Sequence, residues 1–165
     1  MAVYAGTFDP PTLGHLWMIE QGAKLFDGLS VAVGVNPSKR CMFSIDERVA
    51  MLEELTKGLT NVQVDDMALD GFLVDYASGS GALFIFRGIR SQDDYDYERI
   101  MRNANGDSNS NITTVFLMPP RELADISSSL VKGFVGPKGW EKMVKRYVPE
   151  SVFKKIKEAH DARRA

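Results

Sequence analysis

Residues 5–15 hold a group of side chains and backbone donors suited to binding phosphate. The stretch reads Ala-Gly-Thr-Phe-Asp-Pro-Pro-Thr-Leu-Gly-His, an apolar strand end, a proline and glycine turn, and a histidine that opens a helical pattern. The first turn of a helix has unpaired backbone N–H groups and the positive end of the helix dipole, so it attracts anions. The hydroxyl of Thr7 and the ring of His15 can add donors to the same site. This stretch therefore predicts a binding site for the phosphates of a nucleotide.

Further cations and hydroxyls follow other apolar segments of the chain. Lys39 is a compact cation suited to charge that develops on a phosphate, whereas its neighbour Arg40 is expected to point outward. Arg87 and Arg90 can each offer a two-pronged donor to a phosphate or a carboxylate. The serines at 127–129, at the start of a predicted helix, favour a second anion cradle.

The acidic and nucleophilic residues indicate no covalent chemistry. Glu98 has only Arg99 and Arg102 as basic neighbours in sequence, and it is either an acceptor for a ribose or an adenine or a solvated helix acid. Cys41 has no activating signature and is expected to be packed. No Walker loop, dinucleotide fingerprint, Ser/His/Asp set or carboxylate cluster for a metal occurs. The inventory fits phosphoryl or nucleotidyl transfer between two bound substrates, in which the protein positions and neutralises the reacting groups.

Composition narrows the class of protein further. The 165 residues suit a single domain over 1–165, with 137–165 as a C-terminal helical extension. The net charge of −2 argues against a nucleic-acid partner bound by bulk charge. No apolar run approaches the roughly 18 residues of a membrane span, so no membrane partner is expected. The single cysteine excludes an internal disulfide, and with no leader pattern at the N-terminus this favours the cytoplasm.

The periodicity of apolar residues predicts strands alternating with helices. Strands are expected over 2–5, 29–35, 61–64, 82–86 and 113–118. Helices are expected over 13–26, 44–55, 70–77, 91–102, 126–132, 140–147 and 149–163, with 103–111 as a polar loop. This alternation predicts an α/β fold with a doubly wound, five-stranded parallel sheet, which binds ligands beyond the C-terminal ends of its strands. The candidate polar residues all follow strands: Thr7, His15, Lys39, Arg87, Arg90 and 127–129.

Two segments resemble the signatures of the nucleotidyltransferase superfamily. Gly-Thr-Phe-Asp-Pro and Thr-Leu-Gly-His within residues 6–15 are similar to T/HxGH, and Ile-Ser-Ser-Ser-Leu-Val-Lys at 126–132 resembles ISSTxxR/K. Three segments between them are similar to the bacterial phosphopantetheine adenylyltransferase family, namely 36–43, 71–77 and 87–98. The resemblance implies a Rossmann-like nucleotidyltransferase fold and the reversible transfer of an adenylyl group from ATP, with Mg²⁺, to 4′-phosphopantetheine. It also implies direct attack on the α-phosphate, release of pyrophosphate and a homohexamer.

Matching positions carry the family's site residues onto this chain. The resemblance implies a catalytic set of Thr7, His15, Lys39 and Arg90. It implies that ATP is bound by Thr7, Phe8, His15, Gly88, Ile89, Arg90, Glu98, Leu123, Ala124, Asp125, Ile126, Ser127, Ser128 and Ser129. It implies that the acceptor is bound by Thr7, Lys39, Leu73 and Arg87. Two alternatives stay open: an adenylyltransferase acting on nicotinate or nicotinamide mononucleotide, and a non-catalytic nucleotide-binding relative.

Overall fold

The structure is a computed structural model that describes residues 1–35, 40–66 and 72–163. The candidate residue Lys39 and the first two residues of the predicted helix at 70–77 lie outside the described residues. The strands are β1 (Ala2–Gly6), β2 (Leu29–Val33), β3 (Val62–Asp66), β4 (Phe84–Gly88) and β5 (Thr113–Leu117). The helices are α1 (Leu13–Leu25), α2 (Ile45–Thr56), α3 (Leu73–Gly79), α4 (Gln92–Ser108), α5 (Arg121–Ala124), α6 (Ser128–Phe134), α7 (Trp140–Val144) and α8 (Glu150–Ala162).

The five strands form one parallel sheet in the order β3-β2-β1-β4-β5. The predicted doubly wound α/β sheet is therefore confirmed. The chain winds outward from β1 through β2 and β3 and then crosses back to β4 and β5. This reversal opens a crevice between the C-terminal ends of β1 and β4, which is the usual ligand site of such sheets.

Alternate residues of β1 pack into apolar clusters on the two faces of the sheet. Tyr4 belongs to a cluster with Ile19 of α1 and Leu52 of α2. Ala5 belongs to a second cluster with Val74 and other residues of α3. Because both faces are covered, β1 reads as a continuous apolar run. The helices are thereby fixed relative to the ends of β1 and β4.

A third apolar cluster joins the C-terminal helices to the body of the fold. Trp140 of α7 and Phe153 of α8 pack with Val131 of α6, Met51 of α2 and Phe43. The N–H of Leu13 also donates to the carbonyl of Tyr147 at 2.9 Å, so the extension supports the start of α1. The C-terminal helices therefore take part in holding both α6 and α1 at the crevice.

The predicted loop at 103–111 is wrong over its first six residues, because α4 continues to Ser108. Asparagine and glycine have weak helix propensity, but tertiary packing overrides it here. Asn105 is buried, and its carbonyl accepts the N–H of Asn109 at 2.9 Å to close the last turn. At the other end Ser91 caps the helix, and its hydroxyl accepts the Asp94 N–H at 3.2 Å.

Two smaller differences affect the crevice. Arg87 and Gly88 lie inside β4, although the sequence placed them after the strand, because the parallel ladder pairs them with Phe116 and Leu117 of β5. The short helix α5 was not predicted, since a single turn is too short to show periodicity. Arg87 therefore projects from the sheet itself and not from a connecting loop.

Candidate active site

A cleft of about 670 Å³ opens at the crevice between β1 and β4. It is lined by most of the residues that the sequence singled out: Thr7, Phe8, His15, Arg87, Gly88, Arg90, Glu98, Leu123, Ile126, Ser127, Ser128 and Ser129. Ile89, Ala124 and Asp125 do not line it, and the Ile89 N–H instead donates to the carbonyl of Leu117 at 3.0 Å. The structure thus brings the two signature segments, more than 110 residues apart in the chain, to one cleft.

A reciprocal pair of hydrogen bonds fixes His15 at the start of α1. The Thr12 hydroxyl accepts the His15 N–H at 3.3 Å, and the Thr12 N–H donates to Nδ1 of His15 at 3.0 Å. Because Nδ1 accepts a backbone N–H, the neutral imidazole carries its proton on Nε2. The ring of Phe8 packs edge-on against the imidazole, with ring centroids 5.0 Å apart. His15 is therefore held as an oriented N–H donor on the wall of the cleft.

Phe8 contributes to the cleft through its backbone. The residue is 1% exposed, and its ring packs edge-on against that of Tyr4 at a centroid distance of 5.5 Å. Its φ of 48° lies in the left-handed region, which a bulky side chain rarely adopts and which costs on the order of 1–3 kcal/mol. Burial raises the pKa of Tyr4 to about 12, so the phenol beneath this turn stays neutral. The ring of Phe8 is thus core, and it cannot stack on a base.

Arg90 reaches across the cleft from the end of β4 to the segment before α6. Its Nε donates to Asp94 at 2.9 Å, and its Nη1 donates to the carbonyl of Ile126 at 3.0 Å. Burial would raise the pKa of Asp94, but the hydrogen bonds and charge of Arg90 outweigh it and hold that pKa below its usual value. A guanidinium has more N–H groups than these contacts use, so Arg90 can still donate to a phosphate in the cleft.

Arg87 and Glu98 form a close pair at the floor of the cleft. The Nε of Arg87 donates to the two carboxylate oxygens of Glu98 at 2.9 and 3.0 Å, and Nη2 also contacts the carboxylate. Nη1 donates to the carbonyl of Ala5 at 2.7 Å. Burial alone would lower the pKa of Arg87, but Glu98 raises it above the ordinary value. The sequence had offered only Arg99 and Arg102 as partners for Glu98, and the structure corrects that expectation, because the angle between β4 and α4 was not readable from spacing.

The serine run caps α6 beside the first signature. The Ser127 hydroxyl accepts the Leu130 N–H at 3.1 Å, which confirms the predicted N-cap. The Ser128 hydroxyl donates to the carbonyl of Pro10 at 2.8 Å and so binds the two signature segments to each other. Ser129 lines the cleft and is exposed. The start of α6 therefore faces the same space as the start of α1.

Asp9 is a structural centre of the site that the sequence did not reveal. Its carboxylate accepts the N–H groups of Met42 and Phe43 at 2.9 Å and the Nζ of Lys132 at 2.7 Å. Asp9 is 1% exposed. One buried carboxylate thus connects the first signature, the chain that follows β2 and the last residue of the second signature. Only the chemistry of its neighbours in space identifies it, because its own position in the sequence carries no periodic signal.

Removing the cation from this buried pair is expected to destabilise the fold. Lys132→Met should lower the free energy of unfolding by about 2–3 kcal/mol, because the buried Asp9 carboxylate then loses its cation and keeps, among the described residues, only the N–H groups of Met42 and Phe43. Denaturant unfolding measures the change. Lys155→Met is the matched control, since Lys155 pairs with Glu158 on the exposed face of α8, and a change of about 0.5 kcal/mol or less is expected. Equal losses in both variants would contradict the importance given to the Asp9 pair.

Arg48 is the second residue that the sequence missed. It is 2% exposed and donates to the carbonyls of Ser44, Thr7 and Gly34. The sequence does carry a sign of its burial, because Arg48 lies four residues before Leu52 and therefore on the apolar face of α2. A charged residue at such a position indicates a buried polar contact.

A second cavity of about 350 Å³ adjoins the cleft. Leu73 lines it together with Phe72, Met101 and Asn105. Residues shared by the cleft and the second cavity are Ala5, Gly6, Thr7, Arg87, Tyr97 and Glu98. The two spaces therefore meet at the end of β1 and at the Arg87–Glu98 pair, with Leu73 on one side and His15 on the other.

Two further observations concern metals and membranes. Across residues 1–35, 40–66 and 72–163, no three His, Cys, Asp or Glu side chains come together in a way that could hold a metal ion. Asp9, Asp94 and Glu98 are the carboxylates of the cleft, and each is paired with a cation. In the part of the chain that is described, no helix has both the length and the apolar character needed to cross a membrane.

Comparisons with known proteins identify relatives of this chain. Residues 3–134 match the model of the cytidylyltransferase-like family. The chain is 56% identical over 155 residues to a phosphopantetheine adenylyltransferase of Chromobacterium violaceum, with 94% of each chain covered. It is 55% identical over 159 residues to a phosphopantetheine adenylyltransferase of Neisseria meningitidis, with 96% of this chain and 93% of the relative covered.

A solved structure shares the fold at low sequence identity. The nicotinic acid mononucleotide adenylyltransferase of Plasmodium falciparum, complexed with NaAD, matches with a TM-score of 0.70. The match covers 97% of this chain and 96% of that chain at 14% identity. At so low an identity the match shows the fold alone. The shared fold confirms the predicted nucleotidyltransferase fold.

Proposed function

Since this chain belongs to the phosphopantetheine adenylyltransferases of the cytidylyltransferase-like family, we propose that it transfers an adenylyl group reversibly from ATP to 4′-phosphopantetheine. The products are dephospho-coenzyme A and pyrophosphate, which makes it an enzyme of coenzyme A biosynthesis. The proposal rests on the observation that His15 and Ser127–Ser129 line the same cleft, and that a second cavity adjoins this cleft. Two joined spaces suit two substrates that react with each other.

The reaction we propose is a direct displacement. An oxygen of the acceptor phosphate bonds to the α-phosphorus of ATP while the bond to the bridging oxygen of pyrophosphate breaks, and the electron pair leaves with pyrophosphate. The Nε2–H of His15 donates to the α-phosphate, where negative charge grows in the transition state. Thr7 lies where the two spaces meet and contacts both substrates. Lys39, from the chain between β2 and Arg40, completes the charge neutralisation.

ATP occupies the larger cleft in this proposal. Arg90 donates to its phosphates, Phe8 contributes its backbone, and the starts of α1 and α6 offer N–H groups. The remaining predicted ATP contacts are Gly88, Ile89, Glu98, Leu123, Ala124, Asp125, Ile126, Ser127, Ser128 and Ser129. Ile89, Ala124 and Asp125 are next in sequence to residues that line the cleft but do not line it themselves, so a contact from them requires ATP to extend beyond the cleft.

The acceptor occupies the smaller cavity. Leu73 lies along its pantetheine arm, and Arg87 and Lys39 hold its phosphate end. Arg87 is already held by Glu98 and Ala5, so it is a pre-oriented cation that pays little further ordering entropy on binding.

We propose that Mg²⁺ enters with ATP and is held mainly by phosphate oxygens. Mg²⁺ commonly binds through substrate phosphates with few protein ligands, and the cleft carboxylates are engaged by Lys132, Arg90 and Arg87. The ion would supply positive charge at the departing pyrophosphate, while Arg90 and His15 act from the protein side.

We also propose a homohexamer in the cytoplasm. Exposed apolar side chains on and beside α4 support an assembly, since Phe72, Tyr97 and Ile100 are each more than half exposed. The single cysteine supports a reducing compartment.

A comparison of acceptors tests the proposed function. We expect pyrophosphate release from Mg²⁺-ATP with 4′-phosphopantetheine and at least about 10²-fold less with nicotinate or nicotinamide mononucleotide at equal concentration, because the acceptor cavity selects by contact. A coupled pyrophosphate assay measures both rates. Preference for either mononucleotide would replace the proposed acceptor. ATP binding without release in any arm would favour a non-catalytic nucleotide-binding protein.

A further inference from the structure

We propose that Arg48, which lies outside the cleft, positions the backbone donor that the loop after β1 presents to the reacting phosphate. The inference rests on the proposed function, and it assigns a role to a residue that lines neither the cleft nor the second cavity. Arg48 sits on α2 behind the wall that Thr7 and Phe8 form.

The contacts of Arg48 are unusual for a buried cation. Its Nη1 donates to the carbonyls of Thr7 at 2.7 Å and Gly34 at 3.1 Å, and its Nε donates to the carbonyl of Ser44 at 3.1 Å. None of these partners is a carboxylate. Among the described residues, its side-chain donors bind backbone carbonyls only. Burying a guanidinium in this way is costly, so the arrangement is better explained by the segments that it holds in place than by the stability that it adds. It holds together the ends of β1 and β2 and the start of α2.

The peptide between Thr7 and Phe8 is the part of this set that borders the cleft. In a trans peptide the C=O and N–H groups point in opposite directions. Because Arg48 fixes the Thr7 carbonyl on the side away from the cleft, the Phe8 N–H is directed toward the cleft. A backbone N–H oriented in this way is a donor for an oxygen of the transferring phosphate.

The conformation of Phe8 explains why the loop requires such support. Its φ of 48° is unfavourable for phenylalanine and persists only where the surroundings fix it. The buried ring of Phe8 fixes the residue on one side, and Arg48 fixes the preceding carbonyl on the other. Arg48 is therefore a positioning residue that acts through the Thr7–Phe8 backbone and does not itself touch substrate.

The test compares Arg48→Met, which removes the donors at similar length, with Leu52→Ala one turn along α2. Leu52 is fully buried in the same apolar cluster as the ring of Phe8, and its side chain carries no hydrogen-bonding group, so its variant removes core packing and leaves the hydrogen bonds of Arg48 in place. We expect Arg48→Met to lower kcat by about 10²-fold with the KM for ATP within about 3-fold of wild type, because a misplaced donor affects mainly the transition state. Leu52→Ala should lower the unfolding midpoint and leave kcat within about 3-fold of wild type. Rates are taken at a temperature at which circular dichroism shows each variant folded.

A second variant and a structural measurement complete the test of Arg48. If Arg48→Met does not fold, Arg48→Lys takes its place and is expected to give an intermediate kcat, since lysine keeps the charge but not the fork. A crystal structure of the variant provides a readout that needs no turnover, and we expect Phe8 to leave its φ of 48°. An unchanged Phe8 backbone, or equal loss of kcat in the Arg48 and Leu52 variants, would overturn the inference. Absence of adenylyl transfer in the wild type would instead contradict the proposed function, and the Phe8 conformation would still decide the role of Arg48.

Discussion

His15→Ala is expected to lower kcat by about 10²- to 10⁴-fold while the protein stays folded. The Thr12 N–H occupies Nδ1, so the imidazole presents Nε2–H as its donor, and the alanine variant loses that donor entirely. Charge on the α-phosphate is greatest in the transition state, and the loss therefore falls mainly on kcat and less on the KM for ATP. The cost to stability is about 1 kcal/mol, because Thr12 keeps its own capping bond to the backbone of α1.

The other histidine of the chain gives a matched control. His160 lies on α8 beside Trp140, with ring centroids 5.1 Å apart, and does not line the cleft. His160→Ala should leave kcat unchanged, because it removes packing at the C-terminal cluster only. Pyrophosphate release at saturating substrates measures both variants. A His15→Ala enzyme within about 3-fold of wild type would remove the role assigned to this histidine.

The fold was predictable where one physical cause dominates. Residues 29–33 are all buried and, apart from Ser30, apolar, because β2 is covered on both faces. The Ser44–Glu47 spacing likewise predicts the cap that α2 has. The end of α4 was not predictable in this way. Residues 103–108 have weak helix propensity and are helical because Asn105 packs in the tertiary structure, which no local pattern records.

The same distinction applies to the site. Thr7, His15 and Arg90 were found because groups that follow parallel strands collect at one edge of a sheet. Asp9 was missed because its partners, such as the Phe43 N–H and the Lys132 ammonium, lie far away in the chain. The place of Arg48 on the apolar face of α2 indicates a buried polar contact but not that the Gly34 carbonyl is its partner. Residue type alone does not show which distant backbone group a buried side chain contacts. The residues that line the cleft could thus be predicted from the sequence, whereas the buried residues that hold the cleft in place could be identified only from the structure.

Glu98→Gln is expected to raise the KM for 4′-phosphopantetheine by about 10-fold, because it weakens the hold on the cation that we assign to the acceptor phosphate. Both carboxylate oxygens of Glu98 accept from Arg87, and an amide would turn one N–H donor toward the guanidinium. Loss of one charge-assisted contact amounts to about 1.5 kcal/mol, which corresponds to the expected factor. The KM for ATP should stay within about 3-fold of wild type.

The two roles open to Glu98 separate cleanly in this measurement. If Glu98 binds ATP directly, as the family resemblance implies, its variant raises the KM for ATP and leaves that for the acceptor. If it acts through Arg87, the acceptor KM changes instead. Asp96→Asn, which removes an exposed carboxylate from the same helix, controls for the loss of charge and should change neither KM. Initial rates with each substrate varied in turn give both constants. Because Arg87 also holds the carbonyl of Ala5 at the end of β1, some loss of kcat is expected alongside the change in acceptor KM.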